Sequence, residues 1–470
     1  MSLLLAVLGA SASAARAQDV RVSVDPERLG QRVEPRFVGL SFEASALPQL
    51  ARGANRGNLV ALLRSLGPGI LRFGGASLDT NTAFSTTGAA QPWATTTITP
   101  RDLARLGRLA RRSGWSVLLG LPLGRHDPKL AAREAAVAKR ELGPALAGVQ
   151  VGNEPNAFWV FGLRPSWWGY AEYRRELGSY RRALAAAAPG IPLAGPDTAL
   201  YDGFDWLRMY ARDERPAILT PHYYPHHGCF GPPATVPELL GPALSRREAS
   251  AISTHADIAR TARLPMRLGE TNNVPCGGQT GVSDTFSTAL WALRYMVRLA
   301  RAGFAGVNFH GLPEHCRGYA PICSASAADL RRGRLRAMPE WYALLMFRHL
   351  VGERLAGTTL SRRPDGLTVA AFRARSERSV HVLAVNTSAT ERVRLSVRLR
   401  GADGLRRGHV LRLTGPALEA KTGVTLGGAR VGRGGRWSPA DPRPGAAARG
   451  GTFRTVVRAG SAALIRLERP

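Results

Sequence analysis

Two short stretches of the chain each place a glutamate behind an apolar run. Glu154 lies in residues 148–156, Gly-Val-Gln-Val-Gly-Asn-Glu-Pro-Asn, and Glu270 lies in residues 265–273, Pro-Met-Arg-Leu-Gly-Glu-Thr-Asn-Asn. An apolar run bounded by turn residues is typical of a parallel strand covered on both faces, which puts each glutamate at the carboxyl end of its strand. In a barrel, two carboxylates at that end can cleave a glycosidic bond, one protonating the leaving oxygen and one attacking the sugar. The pattern predicts a retaining glycosidase.

The chain up to about residue 350 supplies the elements that would position such a pair. Short apolar strands alternate with helical stretches, which is typical of a parallel sheet wrapped by helices. One helix is predicted at 100–113, because Thr99 can cap its start and Gly114 its end. Candidate strands span residues 37–42, 70–73, 116–121, 148–151, 192–194, 217–220, 266–268 and 306–309. These eight strands with intervening helices predict a (β/α)8 TIM barrel over residues 36–350.

The pattern changes in residues 351–470. Apolar and polar residues alternate there with turn residues at regular intervals, in candidate strands at 367–373, 380–386, 393–399, 410–413 and 461–467. This alternation predicts a C-terminal antiparallel β-sandwich domain. Residues 18–35 precede the barrel and contain one more candidate strand, which we expect to join the sandwich.

The first seventeen residues resemble a signal peptide. A short apolar run is followed by Ala15-Arg16-Ala17, a pattern that signal peptidase cleaves, with Gln18 then starting the mature protein. The alternative is a small-residue leader without a targeting role, since no Lys or Arg precedes the run. We expect a secreted or periplasmic protein.

The chain contains four cysteines, which we place in loops: Cys229, Cys276, Cys316 and Cys323. An exported protein with an even number of cysteines can pair them. Cys316 with Cys323 would close a short loop, and Cys229 with Cys276 would join two loops at one end of the barrel. Four cysteines allow three pairings, and four reduced thiols remain an alternative, so the sequence does not choose.

The formal net charge of +30 raises the question of an anionic partner. Such a charge attracts nucleic acid, anionic polysaccharide and membrane surfaces. Only Lys129, Lys139 and Lys421 are lysines, and the arginines are scattered along the chain without a motif of a nucleic-acid-binding fold. We therefore expect neither a nucleic-acid nor a membrane partner. A polyanion-binding protein without catalysis remains the alternative from a different functional class.

Six segments, in the order expected of successive strand ends, resemble one enzyme family. They are 37–43 (Phe-Val-Gly-Leu-Ser-Phe-Glu), 71–75 (Leu-Arg-Phe-Gly-Gly), 152–158 (Gly-Asn-Glu-Pro-Asn-Ala-Phe), 222–225 (His-Tyr-Tyr-Pro), 268–272 (Leu-Gly-Glu-Thr-Asn) and 308–311 (Asn-Phe-His-Gly). Together they resemble glycoside hydrolase family 79 in clan A, the family of bacterial β-glucuronidases and heparanase. The resemblance covers the barrel and, by architecture, the sandwich.

The resemblance implies a role for each residue of the catalytic pair and its neighbours. Glu154 would be the acid/base and Glu270 the nucleophile. Asn153 would hydrogen-bond the sugar 2-hydroxyl, a contact that strengthens in the transition state. Tyr224 would hydrogen-bond the nucleophile, and His222 would line the sugar pocket.

Arg72 has a role that elementary electrostatics also predicts. A nucleophilic carboxylate must be ionised, and an arginine at the exit of the second strand is placed to hold it charged and oriented. The alternative is a structural arginine. Glu43 closes the first strand and is expected either to contact sugar hydroxyls or to form a structural ion pair.

The resemblance further implies a loop that recognises the carboxylate of a uronic acid. Family 79 uses backbone amides and a tyrosine after the eighth strand, and residues 317–321, Arg-Gly-Tyr-Ala-Pro, resemble that loop. Gly318 and Tyr319 are therefore expected to bind the substrate. The preceding residues 310–316 lack the glycine-rich form of the family, and an ordinary surface loop is the alternative.

Several histidines and a cysteine crowd the exit of the sixth strand, which suggests a metal site: His222, His226, His227 and Cys229. Their spacing does not match a standard zinc pattern, and a retaining glycosidase requires no metal. We expect no metal and no other cofactor. The predicted substrate is a glycan or glycoconjugate that contains β-linked glucuronic acid; an arabinofuranosidase or xylosidase of the same clan is the alternative enzyme.

Overall fold

The computed structural model describes residues 17–199, 203–226, 229, 231–376, 379–401, 407–440 and 446–468. Residues 1–16 of the predicted signal peptide and His227 of the suggested metal cluster lie outside this range.

The elements of the first 350 residues alternate between strands and helices. The strands are β1 (Ala17–Arg32), β2 (Val38–Glu43), β3 (Ile70–Gly74), β4 (Thr82–Phe84), β5 (Thr96–Ile98), β6 (Ser116–Leu121), β7 (Leu146–Val151), β8 (Leu193–Gly195), β9 (Ile218–Leu219), β10 (His222–Tyr223), β11 (Arg267–Thr271), β12 (Gly306–His310), β13 (Ile322–Cys323) and β14 (Arg336–Ala337). The helices are α1 (Leu47–Ala51), α2 (Leu59–Leu66), α3 (Ser77–Thr80), α4 (Pro100–Ser113), α5 (Pro128–Leu142), α6 (Tyr170–Ala187), α7 (Gly203–Asp213), α8 (Val236–Leu240), α9 (Pro242–Ala262), α10 (Phe286–Arg301), α11 (Ala327–Arg331) and α12 (Pro339–Phe347).

Parallel strands close into a barrel. Their order is β10–β11–β12–β2–β3–β6–β7–β8–β9. Only Thr220 and Pro221 separate β9 from β10, so these two are halves of one sixth strand, the first pairing with β8 and the second with β11. Leu219 also bridges Met266, just before β11. The result is the predicted (β/α)8 barrel, with the carboxyl ends of eight strands at one face.

Local sequence accounts for the elements around the barrel. In α4 the Thr99 side chain accepts from the backbone of Asp102 and the Asp102 side chain from that of Thr99, a capping box, and Gly114 ends the helix in a left-handed conformation. Strands β3, β11 and β12 are buried along their whole length, because helices cover one side and the barrel core the other.

The remaining chain forms a second sheet. Its strands after the barrel are β15 (Arg354–Leu360), β16 (Leu367–Arg373), β17 (Ser379–Asn386), β18 (Arg392–Leu399), β19 (Arg407–Thr414), β20 (Thr425–Leu426), β21 (Ala446–Ala447), β22 (Thr452–Val457) and β23 (Ser461–Glu468). Strand β1 lies between β15, to which it is antiparallel, and β18, to which it is parallel. The predicted C-terminal β-sandwich is therefore present.

The sheet folds over its own apolar core and also packs on the barrel. Valines of β1 share one cluster with apolar residues of β16, β17, β18, β22 and β23, which places two layers face to face. The opposite face of β17 contributes Leu383 and Val385 to the core shared with the barrel, where α10 contacts β17 and α12 contacts β19. The barrel and sandwich thus share a continuous apolar interface.

Two disulfides are present, and three of their cysteines lie outside strands and helices as expected, whereas Cys323 ends β13. Cys229 bonds to Cys276 and Cys316 bonds to Cys323, so the structure selects one of the three pairings that the sequence allows. Among the described residues, no helix has the length and apolar character needed to span a membrane.

Candidate active site

Glu270 lies in the fourth position of β11, at the carboxyl face of the barrel, and is surrounded by donors. Arg72 Nη1 donates to its Oε2 at 2.5 Å, and the Tyr224 hydroxyl donates to its Oε1 at 2.8 Å. His310 Nδ1 lies 3.6 Å from Oε2. Both carboxylate oxygens are therefore held, and the group is fixed in one orientation.

The positive charges around Glu270 keep it ionised. Burial favours the neutral acid, but His310, His222 and Arg72, together with the hydrogen bond from Tyr224, outweigh burial and lower the pKa of Glu270 well below its usual range. Burial and the neighbouring negative charge of Glu270 raise the pKa of Tyr224 far above its usual value, so its hydroxyl remains a donor. The arrangement presents a charged, immobile carboxylate.

Arg72, on β3, hydrogen-bonds residues from several strand ends across the barrel. Besides Glu270, its guanidinium donates from Nη2 to Asp197 Oδ2 at 2.7 Å and to Asn153 Oδ1 at 2.8 Å, and from Nη1 to Ser41 Oγ at 3.1 Å. The side chain is fully buried, so these contacts replace its hydration. A buried arginine with two carboxylate partners fixes the positions of both.

Glu154 lies beyond β7 in a different environment. Its backbone adopts the left-handed conformation (φ 51°), immediately before a short 3₁₀ helix at Pro155–Ala157. Its N–H donates to the carbonyl of Asp197 at 2.6 Å, and its Oε1 lies 2.9 Å from Nδ1 of His222. The side chain retains 21% exposure, whereas that of Glu270 retains 8%. Glu154 therefore faces the open side of the site.

The two glutamates are close to each other. One oxygen of Glu154, one oxygen of Glu270 and a ring nitrogen of His222 all lie within 4.8 Å of one another. Carboxyl groups are about 5–5.5 Å apart in retaining glycosidases and about 6.5–9.5 Å apart in inverting ones. The 4.8 Å limit applies to the nearest oxygens of the two carboxyl groups, and this short approach favours the retaining geometry.

His222 connects the two acids. Its Nδ1 faces Glu154, and its Nε2 lies 3.6 Å from Asp197 Oδ2. Burial and Arg72 lower its pKa, but Glu270 and the contacts with Asp197 and Glu154 outweigh them and raise the pKa of His222 to about 9. The ring is therefore a cation at neutral pH, and it lies at the boundary between the two carboxylates.

Asn153 is held from two sides. Arg72 fixes its side-chain carbonyl, and its backbone N–H donates to Asp79 Oδ2 at 2.7 Å. Asp79 Oδ1 accepts from the N–H groups of Leu123 and Gly124, beyond β6, at 2.6 and 2.8 Å. Burial raises the pKa of Asp79 to about 6, against these hydrogen bonds. Asp79 thus joins the loops after β6 and β7 beneath Asn153.

The loop after β12 brings Tyr319 to the site. Its ring stacks on Tyr224 with centroids 5.9 Å apart and meets His310 edge-on at 5.5 Å. The Tyr319 hydroxyl accepts from the N–H of Gly277 at 3.0 Å, and its own N–H donates to the Gly277 carbonyl at 3.2 Å. Gly318 has φ 64°, and a Cβ there would lie 1.8 Å from the Gly277 oxygen, so only glycine fits this close approach.

Glu43 lies at the edge of the same cluster. Its Oε2 accepts from the N–H of Ser77 at 2.8 Å, and its Oε1 lies 3.5 Å from His310 Nε2. His310 is hydrogen-bonded to Ser41 at 3.0 Å, and Glu270 and Glu43 raise its pKa despite burial. The structure therefore gives Glu43 both a structural hydrogen bond and a position beside the site.

The donor atoms of Glu154, His222 and Glu270 form a group of the size that holds a metal ion. However, both oxygens of Glu270 already accept hydrogen bonds, from Arg72 and Tyr224. A cation bound there would lie against the charged guanidinium. Cys229, from the suggested metal cluster, is bonded to Cys276 and is not a thiolate.

The structure adds site residues that the sequence analysis did not select. Asp197 follows β8 and accepts hydrogen bonds from Arg72 and Thr220. Asp79 lies on α3 and accepts a hydrogen bond from the N–H of Asn153. Gln150 and Ser41, on β7 and β2, hydrogen-bond Arg72 inside the barrel. The rule used for Glu154, an acid just beyond a barrel strand, applies equally to Asp197 and would have identified it.

Solved structures with a similar fold cover nearly the whole chain. A 4-O-α-L-rhamnosyl-β-D-glucuronidase from Fusarium oxysporum 12S, solved as a Rha-GlcA complex, is 18% identical with a TM-score of 0.74, covering 94% of this chain and 99% of its own. The α-L-arabinofuranosidase of Thermotoga maritima, solved with arabinose, is 16% identical with a TM-score of 0.69, covering 96% and 100%. A family 51 α-L-arabinofuranosidase from Bifidobacterium longum is 16% identical with a TM-score of 0.70, covering 97% and 100%.

At these identities the likeness establishes the shared fold of barrel and C-terminal sandwich. No family model and no curated protein matches the sequence.

Proposed function

We propose that this chain is a retaining glycoside hydrolase that releases β-linked glucuronic acid, and that it belongs to glycoside hydrolase family 79. The observation that carries the proposal is the pair Glu154 and Glu270. Their oxygens lie within 4.8 Å at the carboxyl ends of two barrel strands, and Glu270 lies against Arg72 and His310, whereas Glu154 lies against His222. Two carboxylates in contrasting surroundings at this separation suit double displacement.

In the first step Glu270 is the nucleophile. A carboxylate oxygen of Glu270 attacks the anomeric carbon and forms a glycosyl ester, while the bond from that carbon to the leaving oxygen breaks. Glu154 transfers its proton to that oxygen. Each Glu270 oxygen accepts one hydrogen bond and keeps a second lone pair, so Arg72 and Tyr224 orient the nucleophile without blocking it.

In the second step Glu154 acts as a base. It takes a proton from water, the water oxygen attacks the anomeric carbon, and the ester bond to Glu270 breaks, so that the enzyme returns to its starting state. Asn153 would donate from its amide to the sugar 2-hydroxyl, because Arg72 already holds the carbonyl end. His222, charged beside Glu154, would stabilise the carboxylate that Glu154 becomes after it has lost its proton.

Tyr319 supports a uronic acid as the sugar. Its hydroxyl accepts from Gly277 and retains a proton for a substrate carboxylate, and burial together with Glu270 raises its pKa far above the usual value. Its backbone N–H is already bound to Gly277, so the hydroxyl is the group we assign to the substrate. The glucuronidase among the similar structures agrees with this sugar.

We also propose that the protein is exported to the cell exterior or the periplasm. Both disulfides support this, because disulfides persist in oxidising compartments.

The test is hydrolysis of 4-nitrophenyl β-D-glucuronide beside the corresponding glucoside, xyloside and arabinofuranoside, with the anomeric form of the product followed by proton NMR. We expect selective cleavage of the glucuronide and β-glucuronic acid as the first product. An α-anomer formed first would exclude retention. The arabinofuranosidases of similar fold make arabinofuranoside cleavage the second candidate function. A preference for that substrate would be consistent with the catalytic pair but would remove the proposed role of Tyr319.

A further inference from the structure

Exposed apolar residues are concentrated in a single loop. Among the described residues, the large apolar side chains with substantial exposure are Trp159 (55%), Val160 (41%), Phe161 (43%), Trp167 (74%) and Val456 (37%). All except Val456 lie in the loop that connects β7 to α6. Contiguous exposed apolar surface on a soluble protein marks a binding site more often than scattered single residues do.

A buried aromatic pair adjoins the exposed side chains in the chain. Phe158 and Trp168 stack inside the loop with centroids 5.8 Å apart and an interplanar angle of 13°. Trp159 follows Phe158 and Trp167 precedes Trp168 in the chain, so each exposed indole is one residue away from a member of this stack. The exposure of the two indoles is therefore part of the folded arrangement.

Polar contacts anchor the loop from beneath. Arg164 donates to Glu176 at 2.7 Å and to the carbonyl of Gly124, beyond β6, at 2.7 Å, and Trp168 Nε1 donates to Glu176 at 2.9 Å. The guanidinium of Arg164 is directed inward by these bonds, and its side chain is only 13% exposed. Besides Trp159, Val160, Phe161 and Trp167, the exposed residues of this stretch are Gly162, Pro165 and Ser166, none of which is charged.

The loop begins at the acid/base residue. The N–H of Ala157 donates to the Glu154 carbonyl at 2.8 Å, and that of Val160 donates to the Ala157 carbonyl at 2.9 Å, so the chain turns tightly from Glu154 to the exposed side chains. An acid that protonates the leaving oxygen must lie on the leaving-group side of the sugar. The group attached to that oxygen therefore departs on the side of this loop.

We propose that Trp159, Phe161 and Trp167 form a platform for a planar, apolar leaving group, such as an aromatic alcohol. The proposal rests on the proposed glycosidase function and specifies the part of the substrate that the sugar pocket does not bind. Ring faces bind flat apolar groups by area and by stacking. They also pack against the C–H face of a sugar, but a bound sugar needs polar side chains for its hydroxyls as well. The inward direction of Arg164 favours the apolar ligand.

The experiment compares phenyl and 2-naphthyl glycosides of the sugar that the enzyme hydrolyses best, because these leaving groups have similar acidity but different planar area. The variants are Trp159→Ala, Trp167→Ala and the double variant. We expect the ratio of kcat/KM for naphthyl over phenyl to fall roughly tenfold in the double variant. Val456→Ala, an exposed apolar residue on β22, is the control and should leave the ratio unchanged. An unchanged ratio in the double variant would overturn the platform.

Binding of 2-naphthol, measured by calorimetry, separates the platform from the proposed function. We expect binding to wild type and to Val456→Ala, and loss of binding in the double variant. A failure of the glycosidase function would appear as absence of turnover for every glycoside, whatever the naphthol result. A wild-type dimer that dissociates in the double variant, with no naphthol binding, would assign the aromatic surface to self-association and overturn the proposal.

Discussion

Glu270 and Glu154 are the same residue type at equivalent ends of two barrel strands, yet the structure gives them opposite surroundings. Glu270 lies within β11 and is buried, with an arginine and a tyrosine on its two oxygens and a histidine at 3.6 Å. Glu154 lies three residues beyond β7, partly exposed, with His222 at its side and an aromatic loop beyond it. The contact with Arg72 distinguishes the ionic interior from the open rim, since Asp197, two residues beyond β8, is also buried against this arginine. One environment fixes a charge, and the other leaves the carboxyl group partly exposed.

Removing the nucleophile should produce the largest effect. Glu270→Gln keeps the shape of the side chain but supplies no charged oxygen, so we expect kcat to fall by at least about 10⁴-fold on every substrate. Steady-state kinetics and mass spectrometry of a 2-fluoro-glycoside adduct on the peptide that contains β11 check this. Glu34→Gln, an exposed glutamate before β2 at the opposite end of the barrel, is the matched control. Activity near wild type in Glu270→Gln would remove the mechanism.

The loss of activity on removing the acid should depend on the leaving group. This dependence is what distinguishes the role of Glu154 from that of Glu270. In Glu154→Ala we expect losses of roughly 10²–10⁴-fold with alkyl leaving groups and much smaller losses with 4-nitrophenol, which departs without protonation. Azide should restore turnover by entering the space left by the side chain and should yield a β-glycosyl azide. Equal losses for both classes of leaving group, without rescue, would mean that Glu154 is not the acid.

His222 lies at the boundary of the two environments. Its charge should make the free energy of unfolding depend on pH. Its pKa of about 9 in the folded protein exceeds the value of about 6.5 expected when unfolded, so the folded state binds the proton more tightly. This stabilisation is complete below about pH 6.5 and is lost as the pH rises through 9; its size is on the order of 3 kcal/mol. Urea unfolding of wild type and His222→Gln at several pH values measures it. Between about pH 6.5 and 9 the free energy of unfolding should change with pH more steeply in one protein than in the other. Parallel curves would show that His222 is neutral in the folded protein.

The barrel was predictable because each of its strands is a short apolar run, a pattern that depends only on burial on both sides. The sixth strand shows the limit of that pattern. The prediction ended it at Thr220, but the strand continues as His222–Tyr223 after Pro221, which has no N–H and interrupts the ladder. The helix α4 was predicted to its ends because Thr99 and Gly114 mark them chemically.

The site was predictable only in part. The structure brings Glu154, Glu270, Arg72, Tyr224 and His222 together, although their roles stay predictions. Asp79 was missed because it acts across loops: its side chain accepts from the backbone of residues far along the chain, and no local pattern records which loops meet. The choice of disulfide partners likewise depends on which loops lie side by side.

Tyr319 provides the finest test of the comparison, because it stacks on Tyr224 beside the nucleophile but is proposed to act on the substrate alone. Tyr319→Phe keeps the ring and removes a hydroxyl that also contacts the hydroxyl of Tyr224, so the stacking should persist and Arg72 should still hold Glu270. We expect the ratio of kcat/KM for glucuronide over xyloside, which lacks the carboxylate, to fall roughly tenfold, mainly through KM. Tyr342→Phe is the control, since the Tyr342 hydroxyl also accepts a backbone N–H, that of Val431, at 3.1 Å but lies on α12. Equal losses on both sugars in Tyr319→Phe would show that the hydroxyl supports the loop through Gly277 and does not recognise the carboxylate.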